Sequence, residues 1–171
     1  MPQSYAATTI SPDLVHRLRT MPKAEIHVHV EGATDAETFY EMAQRNQVNL
    51  PAESLNEWKS FFEFRNFPHF IQVYAAAVQC LQTPEDYALM IERLYKRQAE
   101  ENILYTEAFL SASFLIQKFQ DEEILDAIAA GRAAGEANYH CQVNLIPDIA
   151  REIPDSQHRV LEFVIKGKER G

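Results

Sequence analysis

Sulfur is scarce in this chain. Its two cysteines, Cys80 and Cys141, lie far apart with no Cys-x-x-Cys spacing, which excludes both a disulfide framework and a cysteine-based zinc site. No segment approaches the ~18 consecutive apolar residues of a membrane-spanning helix. Residues 1–20 are polar, broken by Pro2 and Pro12, and lack the basic start and apolar stretch of a secretory signal. Positive charge is also short: 16 Lys and Arg stand against 25 Asp and Glu, a formal net charge of -9. That balance repels phosphate backbones and leaves no footprint for nucleic acid or an anionic membrane. Repeats at a fixed period and low-complexity tracts are absent. What is present is 171 residues at 46% hydrophobic content, enough for one ordinary domain with a substantial core. A reduced, cytoplasmic setting is the expectation.

Periodicity then gives the order of elements. From Ala24, the apolar Ile26, Val28 and Val30 alternate with Glu25, His27 and His29, the period of a strand. Glu31-Gly32-Ala33 closes it, Asp35 offers a cap, and residues 36–46 carry apolar positions at helical spacing. The stretch 50–82 holds the only Trp, Trp58, and an aromatic series from Phe61 to Tyr74, which reads as helical segments broken near Pro68. Thr83-Pro84-Glu85-Asp86 has the signature of a helix start, and the following helix runs to about Asn102. Residues 103–110 form an apolar run around Glu107, read as a strand covered on both faces. A helix over 121–138, a third strand over 143–149 and a last helix over 155–168 follow, with the polar 167–171 tail read as a connection. Crossovers of this length force parallel strands, so the fold class is α/β.

His27 and His29 are two apart on a strand, so their imidazoles leave one face and can converge on a metal ion. By spacing alone, two satisfied histidines in a half-buried sheet fit as well. By position alone, Glu31 can simply cap the helix that starts near Asp35. Phe70, Ile71 and Tyr74, at helical spacing, read as core. Cys80 and Cys141 are read as buried small hydrophobes, and Glu107 as an outward-facing or hydrogen-bonded structural acid.

The segment Pro22-Lys23-Ala24-Glu25-Ile26-His27-Val28-His29-Val30-Glu31-Gly32-Ala33 closely resembles the opening of adenosine deaminase-like amidohydrolases. The likeness continues through the aromatic block from Phe67 to Tyr74, the helix start at Thr83 to Tyr87, the strand with Glu107, and Leu145 to Arg151. It implies the first three βα units, with extra helices, of a metal-dependent (β/α)8 barrel that is incomplete in this chain, occupying residues 21–171 behind an extension at 1–20. It further implies that His27 and His29 ligate zinc or another divalent transition metal. Glu31 would then contact the sugar or ring edge of a purine base or nucleoside, its length leaning toward adenine-like or modified nucleoside substrates over plain adenosine. Phe70, Ile71 and Tyr74 would form an apolar gate over the base. Many members carry proline where Ala112 stands. The reaction implied is hydrolytic replacement of an exocyclic amine with release of ammonia, using a metal-activated water.

The family's later parts, including a His-x-x-Glu that supplies the general acid, have no counterpart among His16, His69, His140 and His158. No catalytic acid is therefore assigned, and the chain is expected to be inactive alone. The competing reading is a non-catalytic fragment that binds purine or metal, or self-associates through an exposed sheet edge and an uncovered apolar interior face.

Overall fold

The computed structural model describes residues 10–171, so the first part of the 1–20 extension lies outside the described residues. The extension is more ordered than its prolines suggest: α1 spans Pro12–Thr20, with Ser11 capping it and Pro12 in its first turn, where a missing N–H costs nothing. Lys23 Nζ then donates to the carbonyls of Leu18, Arg19 and Met21 at the end of that helix.

Three parallel strands, β1 (Lys23–His29), β2 (Ile103–Leu110) and β3 (Gln142–Pro147), make one sheet in the order β1-β2-β3. Between β1 and β2 run α2 (Val30–Ala33), α3 (Ala36–Asn46), α4 (Leu55–Phe62), α5 (Phe67–Val78) and α6 (Pro84–Glu100). After β2 come α7 (Ala112–Lys118) and α8 (Asp121–Asn138), and after β3, α9 (Gln157–Arg170). The aromatic block breaks between α4 and α5, because Pro68 sits inside the first turn of α5 rather than ending a helix. The 167–171 tail is not a connection either: α9 continues through it, and a Cβ on Gly167 would stand 3.2 Å from Leu125 of α8.

Strand β1 departs from simple alternation. Glu25 pairs with Thr106 and Val28 with Ala108, so two residues of β1, Ile26 and His27, oppose the single Glu107 of β2. This bulge reverses the phase of the strand. Glu25 falls on the helix-covered side with the buried Thr106, where its Oε2 accepts from Gln98 Nε2 of α6 at 2.7 Å. His27 and His29 emerge on the opposite face. The regular period had put all three on one side.

That opposite face carries His27, His29, Tyr105, Glu107, Phe109 and Asn144. Ile146, in register with Phe109, lies there too, but the face is mainly polar and aromatic, in contrast to the apolar face expected from the sequence. Glu107 is the hydrogen-bonded acid of the two alternatives, accepting from Tyr105 Oη at 2.8 Å.

The core lies on the other side, where Ala108, Leu110 and Val143 meet Met90, Ile91, Leu94, Tyr95 and Ile124 of the helices. Trp58 is fully buried and donates to the Ala36 carbonyl at 2.9 Å, anchoring α4 to α3. Cys80 is buried, its thiol pushed up to about 12 by burial, whereas Cys141 is only half-buried.

Helices α6 and α8 pack at glycine distance. A Cβ on Gly131 would lie 2.5 Å from the Ala88 carbonyl oxygen, and one on Gly135 would lie 2.4 Å from the Tyr95 ring. Backbone cannot yield as a side chain can. Gly131→Ala is expected to destabilise the fold by about 3 kcal/mol, read as a lower denaturant midpoint with an unchanged slope.

Asp121, nearly fully buried, accepts from Arg159 Nη1 at 3.0 Å and Lys166 Nζ at 2.7 Å, tying α9 to α8. The hydrogen bond from Arg159 holds its carboxyl below the usual range. A depressed carboxyl contributes stability above the unfolded value of about 3.9 and loses it as pH falls through the folded value. Thermal melts from neutrality to acid should therefore show a fall in stability below about pH 4 that is shallower in Asp121→Asn.

Candidate active site

Each βα junction brings one part of the site to the carboxyl end of the sheet. His27 and His29 end β1 with ring centroids 5.7 Å apart, and both lie against Phe109, at 4.6 and 5.5 Å. This phenylalanine at the end of β2 is the floor on which the two imidazoles rest. Phe109 pairs with His29 in register, so the parallel ladder itself fixes that contact.

Directly after β1 the chain turns into α2, which buries Glu31 to 4% exposure. Its Oε1 accepts from the Ser111 amide at 3.0 Å, just beyond β2, while Oε2 is buried without a partner. Burial pushes its carboxyl above the ordinary glutamate range, opposed by the Ser111 amide and reinforced by the charge of Asp148. The bond to Ser111 shows that Glu31 does more than favour the start of a helix. A buried oxygen with no donor is costly, and such groups collect at functional sites.

Glu31, Tyr74, Tyr87, Ser111 and Phe114 line a cavity of about 300 Å³. Tyr74 is half-buried there, its phenol raised first by burial and then by the Glu31 charge. Phe70 reaches Tyr74 ring to ring at 6.3 Å, and Phe64 and Phe67 extend this ridge outward. Ile71 is 46% exposed on the same helix and does not line the cavity. The aromatic series is thus divided, with Trp58 serving the core and Phe64, Phe67 and Phe70 exposed beside the site.

Asp148, which the sequence reading passed over, enters from the end of β3. Its Oδ2 lies 3.8 Å from His29 Nδ1, and its amide donates to the Leu110 carbonyl at 2.9 Å. Burial raises its carboxyl, and the charge of His29 opposes that. Its signals in the sequence were its place after an apolar strand and within the Leu145 to Arg151 stretch of the resemblance.

Two imidazoles on one strand suit a borderline-soft divalent ion. Among the described residues, no group of three or more His, Cys, Asp or Glu is arranged to hold a metal ion. These residues therefore fit part of a donor set.

Parallel strands, each followed by helices, with polar side chains gathered at the strands' carboxyl ends, define the amino-terminal part of a TIM-barrel amidohydrolase. The chain belongs to the adenosine deaminase family, whose model matches residues 22–171. It is 31% identical over 148 residues to the adenine deaminase of Cupriavidus necator, covering 86% of this chain and 42% of that relative. Over 92 residues it is 36% identical to the adenine deaminase of Acinetobacter baylyi, covering 54% of this chain and 28% of the relative. The crystal structure of an adenine deaminase from Arthrobacter aurescens superposes with a TM-score of 0.70 at 26% identity, covering 85% of this chain and 45% of that one. An amidohydrolase from Burkholderia ambifaria with bound zinc shares the fold, with a TM-score of 0.82 at 20% identity over 94% of this chain and 45% of its own. The chain spans less than half the length of the relatives it matches.

Proposed function

We propose that this chain carries the first metal-binding and base-binding elements of a hydrolytic purine deaminase that acts on a free aminopurine such as adenine. The observation that carries the reading is the buried, unpartnered Glu31 Oε2 beside a cavity, two residues beyond the His27-x-His29 pair. In it, His27 and His29 supply two nitrogen ligands to zinc or a related divalent ion. When bound, such an ion supplies Lewis acidity that lowers the pKa of water toward neutrality.

Glu31 provides what a free base requires. Adenine bears a ring N–H that adenosine has replaced by its sugar, and a buried carboxylate oxygen without a donor is the natural acceptor for it. The ring faces suit the aromatic wall of Tyr74, with Phe70 and Ile71 following on the exposed side of α5 as the approach to it. The relatives named adenine deaminase support the same substrate class. The setting we propose is cytoplasmic, and among the described residues no helix is long and apolar enough to cross a membrane.

The sequence contains no His-x-x-Glu pair, so a proton donor to the ring is missing from these residues and ammonia release by this chain alone is not expected. Titration calorimetry tests the binding role. Adenine should bind in preference to adenosine, and Glu31→Gln should weaken adenine by at least ~10-fold, the scale of a lost charge-assisted hydrogen bond. Equal binding of the nucleoside would overturn the free-base reading, and absence of any purine binding would overturn the site.

A second reading is favoured by one observation. Among the described residues β1 and β3 each pair on one side only, and Ile26 on the β1 edge is 68% exposed. Unpaired edges of this kind drive association. Sedimentation showing a stable dimer without purine or zinc binding would select it.

A further inference from the structure

Asp148 lies outside the motif that gives the site its histidines, yet it is the acid nearest to one of them. It follows β3 and is held at several points. Its amide donates to the Leu110 carbonyl at 2.9 Å, and two residues later the Ala150 amide donates to Ser113 Oγ at 2.8 Å. Ser113 is fully buried and hydrogen-bonded to Ser156 Oγ at 2.8 Å, whose hydroxyl also donates to the Ile153 carbonyl at 2.6 Å. The loop after β3 is thus pinned to the start of α7 and to the approach to α9. Among the described residues the Asp148 carboxylate accepts no hydrogen bond, and the cationic group beside it is His29, whose Nδ1 stands 3.8 Å away. That separation exceeds a formed hydrogen bond. Catalytic contacts of this kind are commonly long before ligand arrives.

We infer that Asp148 is a positioning residue: its carboxylate receives the Nδ1–H of His29, fixing the tautomer whose Nε2 lone pair is free to face a bound cation. Which ring nitrogen carries the proton is set by the partner of the other, and a carboxylate behind a ligating imidazole both orients the ring and strengthens it as a donor. The importance of this orientation rests on the reading of His29 as a ligand. The Asp148–His29 pairing itself does not.

The test separates the two. In the zinc-free chain at about pH 8, where histidine is neutral, the 15N shifts of the His29 ring report its tautomer directly, with the resonances assigned by His29→Gln. We expect the Nδ1–H form in the parent chain and a shift toward the Nε2–H form, which free imidazole favours, in Asp148→Ala. Asp148→Asn, which keeps the side-chain shape, should shift it less. Melting curves serve as the control for folding. Competition with a chelator should show zinc bound about 10- to 100-fold more weakly by Asp148→Ala. An Nε2–H tautomer in the parent chain, or a tautomer unchanged by Asp148→Ala, overturns the proposal. A parent chain that takes up no zinc overturns the ligand reading of His29, while the tautomer still decides for or against Asp148.

Discussion

Replacing His27 and His29 together by alanine is expected to abolish zinc uptake while leaving the fold intact. The two imidazoles are the nitrogen donors at the end of β1, with ring centroids 5.7 Å apart on a common Phe109 floor. Without them, oxygen donors such as Asp148 remain at this end of the sheet, and isolated carboxylates hold a borderline-soft ion poorly against water. Both side chains are largely exposed, so their removal opens no cavity in the core. Unfolding free energy should stay within about 0.5 kcal/mol of the parent. The measurement is zinc content by mass spectrometry after equilibrium dialysis at low free zinc, beside a denaturant melt. Zinc retained by the double variant would place the ion elsewhere and remove the basis for the proposed chemistry. Each single variant should fall between the parent and the double variant, because one imidazole still offers a donor.

Asp86→Ala should give the largest loss of stability among the side chains described above. Asp86 is fully buried at the start of α6 and gathers donors from two separate stretches of chain, 45–46 and 82–83. Its Oδ2 accepts from the amides of Gln82 and Thr83, both at 2.7 Å, from Asn46 Nδ2 at 2.8 Å and from Thr83 Oγ1 at 3.2 Å, while Oδ1 pairs with Arg45. Arg45 and Gln82 are exposed and can return to water, while Thr83 and Asn46 are half-buried and are the donors most nearly stranded. The cost is therefore the desolvation of stranded donors together with the loss of a helix cap, about 3–4 kcal/mol. For a domain of this length that lowers Tm by on the order of 10 °C. Asp86→Asn should do little better, because its amide group turns a donor toward other donors. A loss under about 1 kcal/mol in both variants would show that water reaches this network.

The contrast between these two sites bears on what a sequence can reveal. His27 and His29 were legible because two-residue spacing on a strand is itself a geometric statement, and Glu31 followed from its place beside them. Their shared face with Phe109 follows from strand pairing, and so does the reach of Asp148 toward His29. Neither is written in local periodicity. The strands and the helices α3 to α6, α8 and α9 could be read because apolar residues recur at their periods, whereas the short α7 between β2 and α8 was missed. The bulge could not, since the alternation Glu25, His27, His29 is perfect on paper and only pairing with β2 reveals that one residue is extra. Helix α1 was overlooked because a proline was taken as a breaker when Ser11 before it made it a first-turn residue. Ile71 and Phe70, a turn before Tyr74 on α5, both stay outside the cavity, because the part of this helix that lines it begins at Tyr74 and continues through Ala75 and Val78.

The bulge in β1 also governs which changes in chain length this strand can absorb. Ile26 and His27 together face one residue of β2, so between Glu25 and Val28 the strand holds one residue more than its ladder needs. Deleting Ile26 would leave Glu25 on the helix side and return a regular strand with both histidines still on the outer face. Deleting Val28 instead would turn one histidine inward, toward the packed helices. Within a few residues, then, the strand contains a position where a lost codon is absorbed and another where the same loss dismantles the site.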